Sequence, residues 1–143
     1  MDASEIENAF GKMEDSPELK GLMAKLGVTK RPKLVDGVGE VKFPKLGLRL
    51  AFKREAPKSS KLMLSGITFH SGSEEDYEPF AGSLPHGLTL SDGPDVVRAK
   101  LGQPTVSVER YRIDHWDSGE RRLSVEYDDV EDRISKVYIG FQP

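Results

Sequence analysis

Leu48, Leu50 and Phe52 reappear seventy-five residues later as Leu123, Val125 and Tyr127, with polar or small residues between them in both places. Leu26-Gly27 and Leu101-Gly102 stand at the same offset of seventy-five, and Leu64-Ser65-Gly66-Ile67 matches Ile134-Ser135-Lys136-Val137 at an offset of seventy. Three matches in one order and nearly one register constrain this chain more than its composition does. Each copy reads as a helix followed by three strands. The sequence therefore predicts an α+β fold of two tandem units, residues 1–78 and 79–143. Each unit is a helix packed on one face of a three-stranded antiparallel sheet. A sheet that small is marginal alone, so the two units are expected to join edges or share a core within one compact domain.

The helices are marked by their punctuation. Ser4-Glu5-Ile6-Glu7 reads as a capping box with Ser4 as the cap, followed by Ile6, Phe10 and Met13 at helical spacing. Ser16-Pro17-Glu18 opens a second helix, carried by Leu19, Leu22, Met23 and Leu26 and closed by Gly27. The helix of the second unit is the best delimited. Pro94 suits a first helical position, Asp92 or Gly93 caps it, and Asp95 complements the dipole. Val97 and Leu101 lie four apart on one face, Gly102 supplies a left-handed stop, and Pro104 forbids continuation. Strands are expected at Val38–Phe43, Leu48–Lys53 and Leu62–Phe69. In the second copy they are expected at Val106–Trp116 as one extended run, Leu123–Tyr127 and Ile134–Phe141. Ser71 to Pro79 is polar and acidic and reads as the linker.

Composition narrows the function classes. At 143 residues, with 31% charged and 36% hydrophobic residues, the chain is that of a soluble globular protein, and a formal charge of -3 points to neither nucleic acid nor a membrane as partner. The absence of cysteine excludes disulfides, thiolate metal sites and cysteine nucleophiles. No run approaches the roughly 20 apolar residues of a membrane span. The acidic start, Met1-Asp2-Ala3-Ser4-Glu5, does not read as a signal peptide, so a cytoplasmic protein is expected. The net charge hides an asymmetry: Lys20 to Lys61 holds 12 Lys/Arg against three acids, whereas Asp114 to Asp132 holds eight acids against two arginines. Aromatics are not interleaved with the lysines as stacking on nucleic acid requires, and opposite patches suit a protein partner or a solvated surface.

No catalytic motif accompanies the repeat. Asp114 and His115 are neighbours on a strand and point to opposite faces, so they do not cooperate as orienter and base. His70 and His86 lie near turns without ligand spacing. The acidic run Asp128 to Asp132 lacks the alternating ligands and glycine of a calcium loop. No enzyme activity, metal or cofactor is expected. Strand alternation predicts instead an uncovered sheet face. Leu123, Val125 and Tyr127, with Val137, Ile139 and Phe141 beside them, should pack on the helix. That leaves Arg122, Ser124, Glu126, Lys136 and Tyr138 facing outward, with Arg49, Ala51 and Lys53 in the first copy. Trp116 is either an exposed aromatic anchor or a core residue closing the end of the sheet. Arg49, Lys53, Trp116, Arg122, Ser124, Glu126, Lys136 and Tyr138 are the candidate partner-binding residues, tyrosine and arginine being the residues that dominate interface energetics.

Several segments of the second copy also match a known pattern. Leu84-Pro85-His86-Gly87-Leu88 leads into Asp95-Val96-Val97-Arg98-Ala99-Lys100-Leu101-Gly102-Gln103-Pro104, then Asp114 and Trp116, and then Leu123 to Asp128. With its PxGL segment, LGxP helix end and DxW, residues 79–143 resemble small bacterial immunity proteins of polymorphic toxin, contact-dependent and type VI secretion systems. The helix-plus-sheet unit is similar to the BamE (SmpA/OmlA) fold, and its tandem form is similar to the β-lactamase inhibitory protein family. The export signals of those two groups, and the inhibitor's disulfides, are not seen in this sequence. The resemblance implies a cytoplasmic, non-enzymatic inhibitor that binds a cognate toxin or effector and occludes its active site, as a monomer or weak dimer. It also implies structural roles for Gly87, Leu101, Gly102, Pro104 and Trp116. The alternative is an adaptor or chaperone module of a secretion system that binds an effector without inhibiting it. A small hydrolase would need a pocket joining His115 to a distant serine or carboxylate.

Overall fold

In the computed structural model, which describes residues 1–74 and 76–143, every long alternating stretch becomes a strand. These are β1 (Val38–Phe43), β2 (Leu48–Arg54), β3 (Leu62–His70), β4 (Val106–Val108), β5 (Ile113–Ser118), β6 (Arg121–Tyr127) and β7 (Ile134–Phe141). They form one antiparallel sheet in the order β1-β2-β3-β7-β6-β5-β4. This corrects the expectation of two helix-plus-three-strand units. β3 pairs with β7 over Gly66–His70 against Gly140–Lys136, so no boundary interrupts the ladder. Ile67 lies opposite Ile139, and Phe69 opposite Val137, all of them buried. Each half would leave such residues half wetted if it stood alone, and burying apolar surface favours the merged sheet. The offset of seventy-five marks a shared alternation in β2 and β6, not a division of the molecule.

A second correction concerns residues 106–116. A turn at Glu109–Tyr111, with Arg112 in the left-handed region at φ 53, breaks the run into β4 and β5, which then pair with each other. The seventh strand arises there.

Helices α1 (Ala3–Glu7), α2 (Pro17–Lys25) and α3 (Pro94–Leu101) lie on one face of the sheet. The α1 cap is Asp2 rather than Ser4: its carboxylate accepts from the Glu5 amide at 3.2 Å and from the Ser4 hydroxyl at 2.6 Å. Ser16 caps α2 by accepting from the Leu19 amide at 3.2 Å, ahead of Pro17 in the first turn. Gly93 is the α3 cap residue, while the Asp92 carboxylate instead takes the Thr89 amide and hydroxyl and Lys100. Ile6, Leu19, Leu22 and Val97 reach from the helices into one core with Leu48, Leu50, Phe52, Ile67, Phe69, Val125 and Val137 of the sheet. α1 stops short of the expected run to Met13, so Phe10 joins from the turn that follows it, as do Phe80, Leu84 and Leu88 from the long connection.

Residues 71–79, expected as a linker, are strapped to the sheet, and Glu75 within them lies outside the described residues. The Ser71 amide donates to Ser135 O at 3.0 Å, and the Glu78 amide to Pro44 O at 2.8 Å. Gly47, at φ +64, has Glu78 O so close that an added Cβ would stand 2.3 Å from it, which admits no side chain there.

Candidate interaction face

The face opposite the helices carries no helix among the described residues, and the register arranges its side chains in rows that run across the strands. One row reads Lys42, Arg49, Thr68, Tyr138, Ser124, His115, Val106, each directly opposite the next. A neighbouring row reads Ala51, Gly66, Gly140, Arg122, Asp117, and a third reads His70, Lys136, Glu126, Ile113. Where Ala51, Gly66 and Gly140 follow one another, the row has almost no side chains. Beside this stretch lies a depression of about 410 Å³ lined by side chains, among them Arg49, Thr68, Tyr138, Ser124, His115 and Arg122. The Tyr138 ring lies down on the bare backbone, yet the residue keeps 40% of its surface exposed. Partial burial pushes its phenol up, with Arg49 acting in the opposite sense.

Around the depression the charges are mostly paired. Arg122 grips Asp117 with two bonds, Nε to Oδ1 at 2.7 Å and a terminal nitrogen to Oδ2 at 3.0 Å, which holds the Asp117 carboxyl below its ordinary range. Lys136 pairs with Glu74 and lies 3.6 Å from Glu126. Glu126 also accepts the Ser135 hydroxyl at 3.1 Å. Lys53 places Nζ 4.5 Å from the centre of the Phe141 ring, a cation–π contact.

Arg49, Arg122, Ser124, Glu126, Lys136 and Tyr138 are thus brought to one face, and Lys53 reaches the same face at the end of β2. Trp116 is the exception among the expected contact residues. It falls on the helix-covered side, opposite Leu123, packs against the core, and donates Nε1–H to Gly102 O at 3.1 Å. It thereby satisfies a carbonyl left open at the end of α3, so its role is to fix that helix. Leu101 and Gly102 lie in the same corner; Leu101 is half-buried, whereas Val97 is fully enclosed.

One contact on this face escaped the sequence reading. His115 Nδ1 lies 2.7 Å from Ser124 Oγ across β5 and β6, and burial, reinforced by Arg122, draws the imidazole down from its ordinary value. The register makes the contact, and no motif announces it. A serine–histidine hydrolase needs more than this pair. The backbone around both residues is committed to ladders on both sides, leaving no N–H pair for an oxyanion. The carboxylate next in sequence, Asp114, lies on the other face. There Asp114 accepts four bonds, from Arg98 at 2.9 and 3.0 Å, Ser107 at 2.7 Å and Tyr127 at 3.0 Å, and clasps α3 to the sheet. Burial favours its neutral form, but those donors prevail and hold it below the usual carboxylate range. Among the described residues, no three His, Asp or Glu side chains gather as a metal site.

Among the described residues, no helix is long and apolar enough to cross a membrane. No family model and no curated protein matches this chain. Among solved structures, it is similar to a DUF4309 family protein (YjgB) from Bacillus subtilis, with a TM-score of 0.50 and 15% identity over 86% of this chain and 77% of that one. A likeness at that identity extends to the fold and no further.

Proposed function

We propose that this chain is a non-enzymatic, cytoplasmic inhibitor that binds a cognate bacterial toxin or effector through the open sheet face and occludes its active site. The observation behind this reading is the depression around Tyr138. Thr68 and Ser124 in its lining are buried, and the Tyr138 ring is already laid down on Gly66 and Gly140, so little conformational freedom remains to be lost on binding. Arginine and tyrosine, the residues most often found at energetic hot spots, border it together. The paired charges at its rim would reject partners with the wrong pattern more than they would add affinity. The resemblance of residues 79–143 to immunity proteins supplies the class of partner.

The test is capture of the partner from the native host, followed by assay of its activity with and without this chain. A stoichiometric toxin-domain protein silenced by the chain supports the reading. Arg122→Glu combined with Lys136→Glu should weaken that complex about tenfold or more while leaving the circular dichroism unchanged. A partner that stays fully active when bound would make the chain an adaptor.

A further inference from the structure

Arg49 differs in one respect from the other cations bordering the depression. Arg122 and Lys136 are each bound to carboxylates of this chain. Arg49, half-buried near the start of β2, has no carboxylate within ion-pair distance among the described residues. Its neighbours deepen the imbalance: Lys42 stands opposite it on β1, and Lys53 follows on its own strand. Two acids stand nearby: Glu40, opposite Ala51, and Glu74, whose carboxyl feels Arg49 but is bound to Lys136. A guanidinium that has given up part of its hydration without a counter-ion is relieved when one arrives. The planar fork of arginine fits a carboxylate with two parallel bonds. Tyr138, separated from Arg49 in the row by the buried Thr68, offers the stem of an incoming side chain a fixed aromatic surface.

We propose that Arg49, with Tyr138 beside it, receives an aspartate or glutamate side chain presented by a protein partner on a projecting segment. This rests on the reading of the open face as the binding surface. It adds the chemistry of the partner's contact: one carboxylate carried on an apolar stem, docked at the β2 side of the depression. The depression opens along the sheet, which suits a side chain projecting from a larger body.

The experiment uses the full chain and two pools of capped nine-residue peptides carrying an uncharged BODIPY label, otherwise neutral, one with a central glutamate and the other with glutamine there. Binding is read by fluorescence anisotropy for the native chain and for Arg49→Gln, Arg49→Lys, Tyr138→Ala and, as a remote control, Lys20→Gln. The glutamate pool should bind about tenfold tighter than the glutamine pool. Arg49→Gln should erase that preference, Arg49→Lys should restore part of it, and Lys20→Gln should leave it intact. Equal binding of the two pools by the native chain, a preference that survives Arg49→Gln, or no binding at millimolar peptide would overturn the inference. Equal binding that Tyr138→Ala weakens for both pools would remove the carboxylate and leave the face. Binding indifferent to Tyr138→Ala would remove the face as well.

Discussion

The phenol of Tyr138 rests on Gly140, two residues further along the same strand: a methyl group at Gly140 would stand 2.6 Å from Cε1 and 2.7 Å from the hydroxyl oxygen. Gly66, directly opposite on β3, takes part as well, its methyl falling 3.0 Å from that oxygen. An aromatic ring covering cross-strand glycines fills space their missing side chains leave and pins the register there. The same ring marks the middle of the candidate interaction face, so packing and recognition share one side chain.

That relationship predicts a signature in solution. On each of Gly66 and Gly140 one α-proton faces the ring, and these two protons should resonate upfield of ordinary strand glycines. In Tyr138→Leu both should return to ordinary values with the other strand resonances in place. In Gly140→Ala the ring, being the end of a rotatable side chain, should swing outward while the sheet persists. Unshifted glycine protons in the native chain would disprove the contact.

Asp114 predicts the largest loss from a single polar change. Its carboxylate is 1% exposed and binds α3, β4 and β6 at once through Arg98, Ser107 and Tyr127. Asp114→Asn turns an amide group toward those donors and leaves Arg98 without its counter-charge, which should cost about 3 kcal/mol or more in urea denaturation. Tyr127→Phe removes one donor from a carboxylate that keeps the others, and should cost about 1 kcal/mol. Similar costs for the two would mean that the four bonds do not act as a unit.

These contacts show how far the sequence could be read. Alternation identified which residues of β2, β6 and β7 face the core, because a strand has period two whatever its neighbours are. It therefore also placed Arg49, Arg122, Lys136 and Tyr138 on the outer face. Joined edges were one of the two expectations, but pairing between distant strands leaves no local trace, so the choice between them and the β3–β7 junction were hidden. The left-handed Arg112 that separates β4 from β5 was hidden too, since arginine carries no turn signal. Trp116 was ambiguous because a strand residue near an edge can turn either way, and the bond to Gly102 that decides it depends on where α3 ends.

The covering face yields a comparison within α3. The spacing of Val97 and Leu101 nominates both as anchors, but Val97 is 0% exposed and Leu101 is half-buried. Val97→Ala should cost about 2 kcal/mol, and Leu101→Ala less than the 2–5 kcal/mol range of fully buried leucines. Thermal or chemical denaturation of the two variants decides it. A larger loss at Leu101 would move the centre of the α3 contact one turn along.

His70 predicts a pH dependence. Its side chain is fully buried, stacked on Tyr77 with ring centres 3.7 Å apart, and neither ring nitrogen has a hydrogen-bond partner among the described residues. Burial draws its pKa down to about 4, Arg49 and Lys136 act in the same direction, and Glu74, 3.6 Å away, opposes them. An unfolded histidine titrates near 6.5. Between those two values the unfolded chain binds a proton that the folded chain refuses. The contribution of neutral His70 is therefore complete above about pH 6.5 and is lost as the pH falls toward 4, by as much as about 3 kcal/mol. His70→Phe keeps a ring on Tyr77 and removes both nitrogens. Carboxylates other than Glu74 titrate alike in the two chains, so the difference between their stability curves isolates the histidine and its interaction with Glu74. Denaturation from about pH 7 down to about pH 4.5 should show the native chain losing stability more steeply than the variant. Parallel curves would mean that protonated His70 is tolerated where it stands, and that the strap of residues 71–79 yields to admit water.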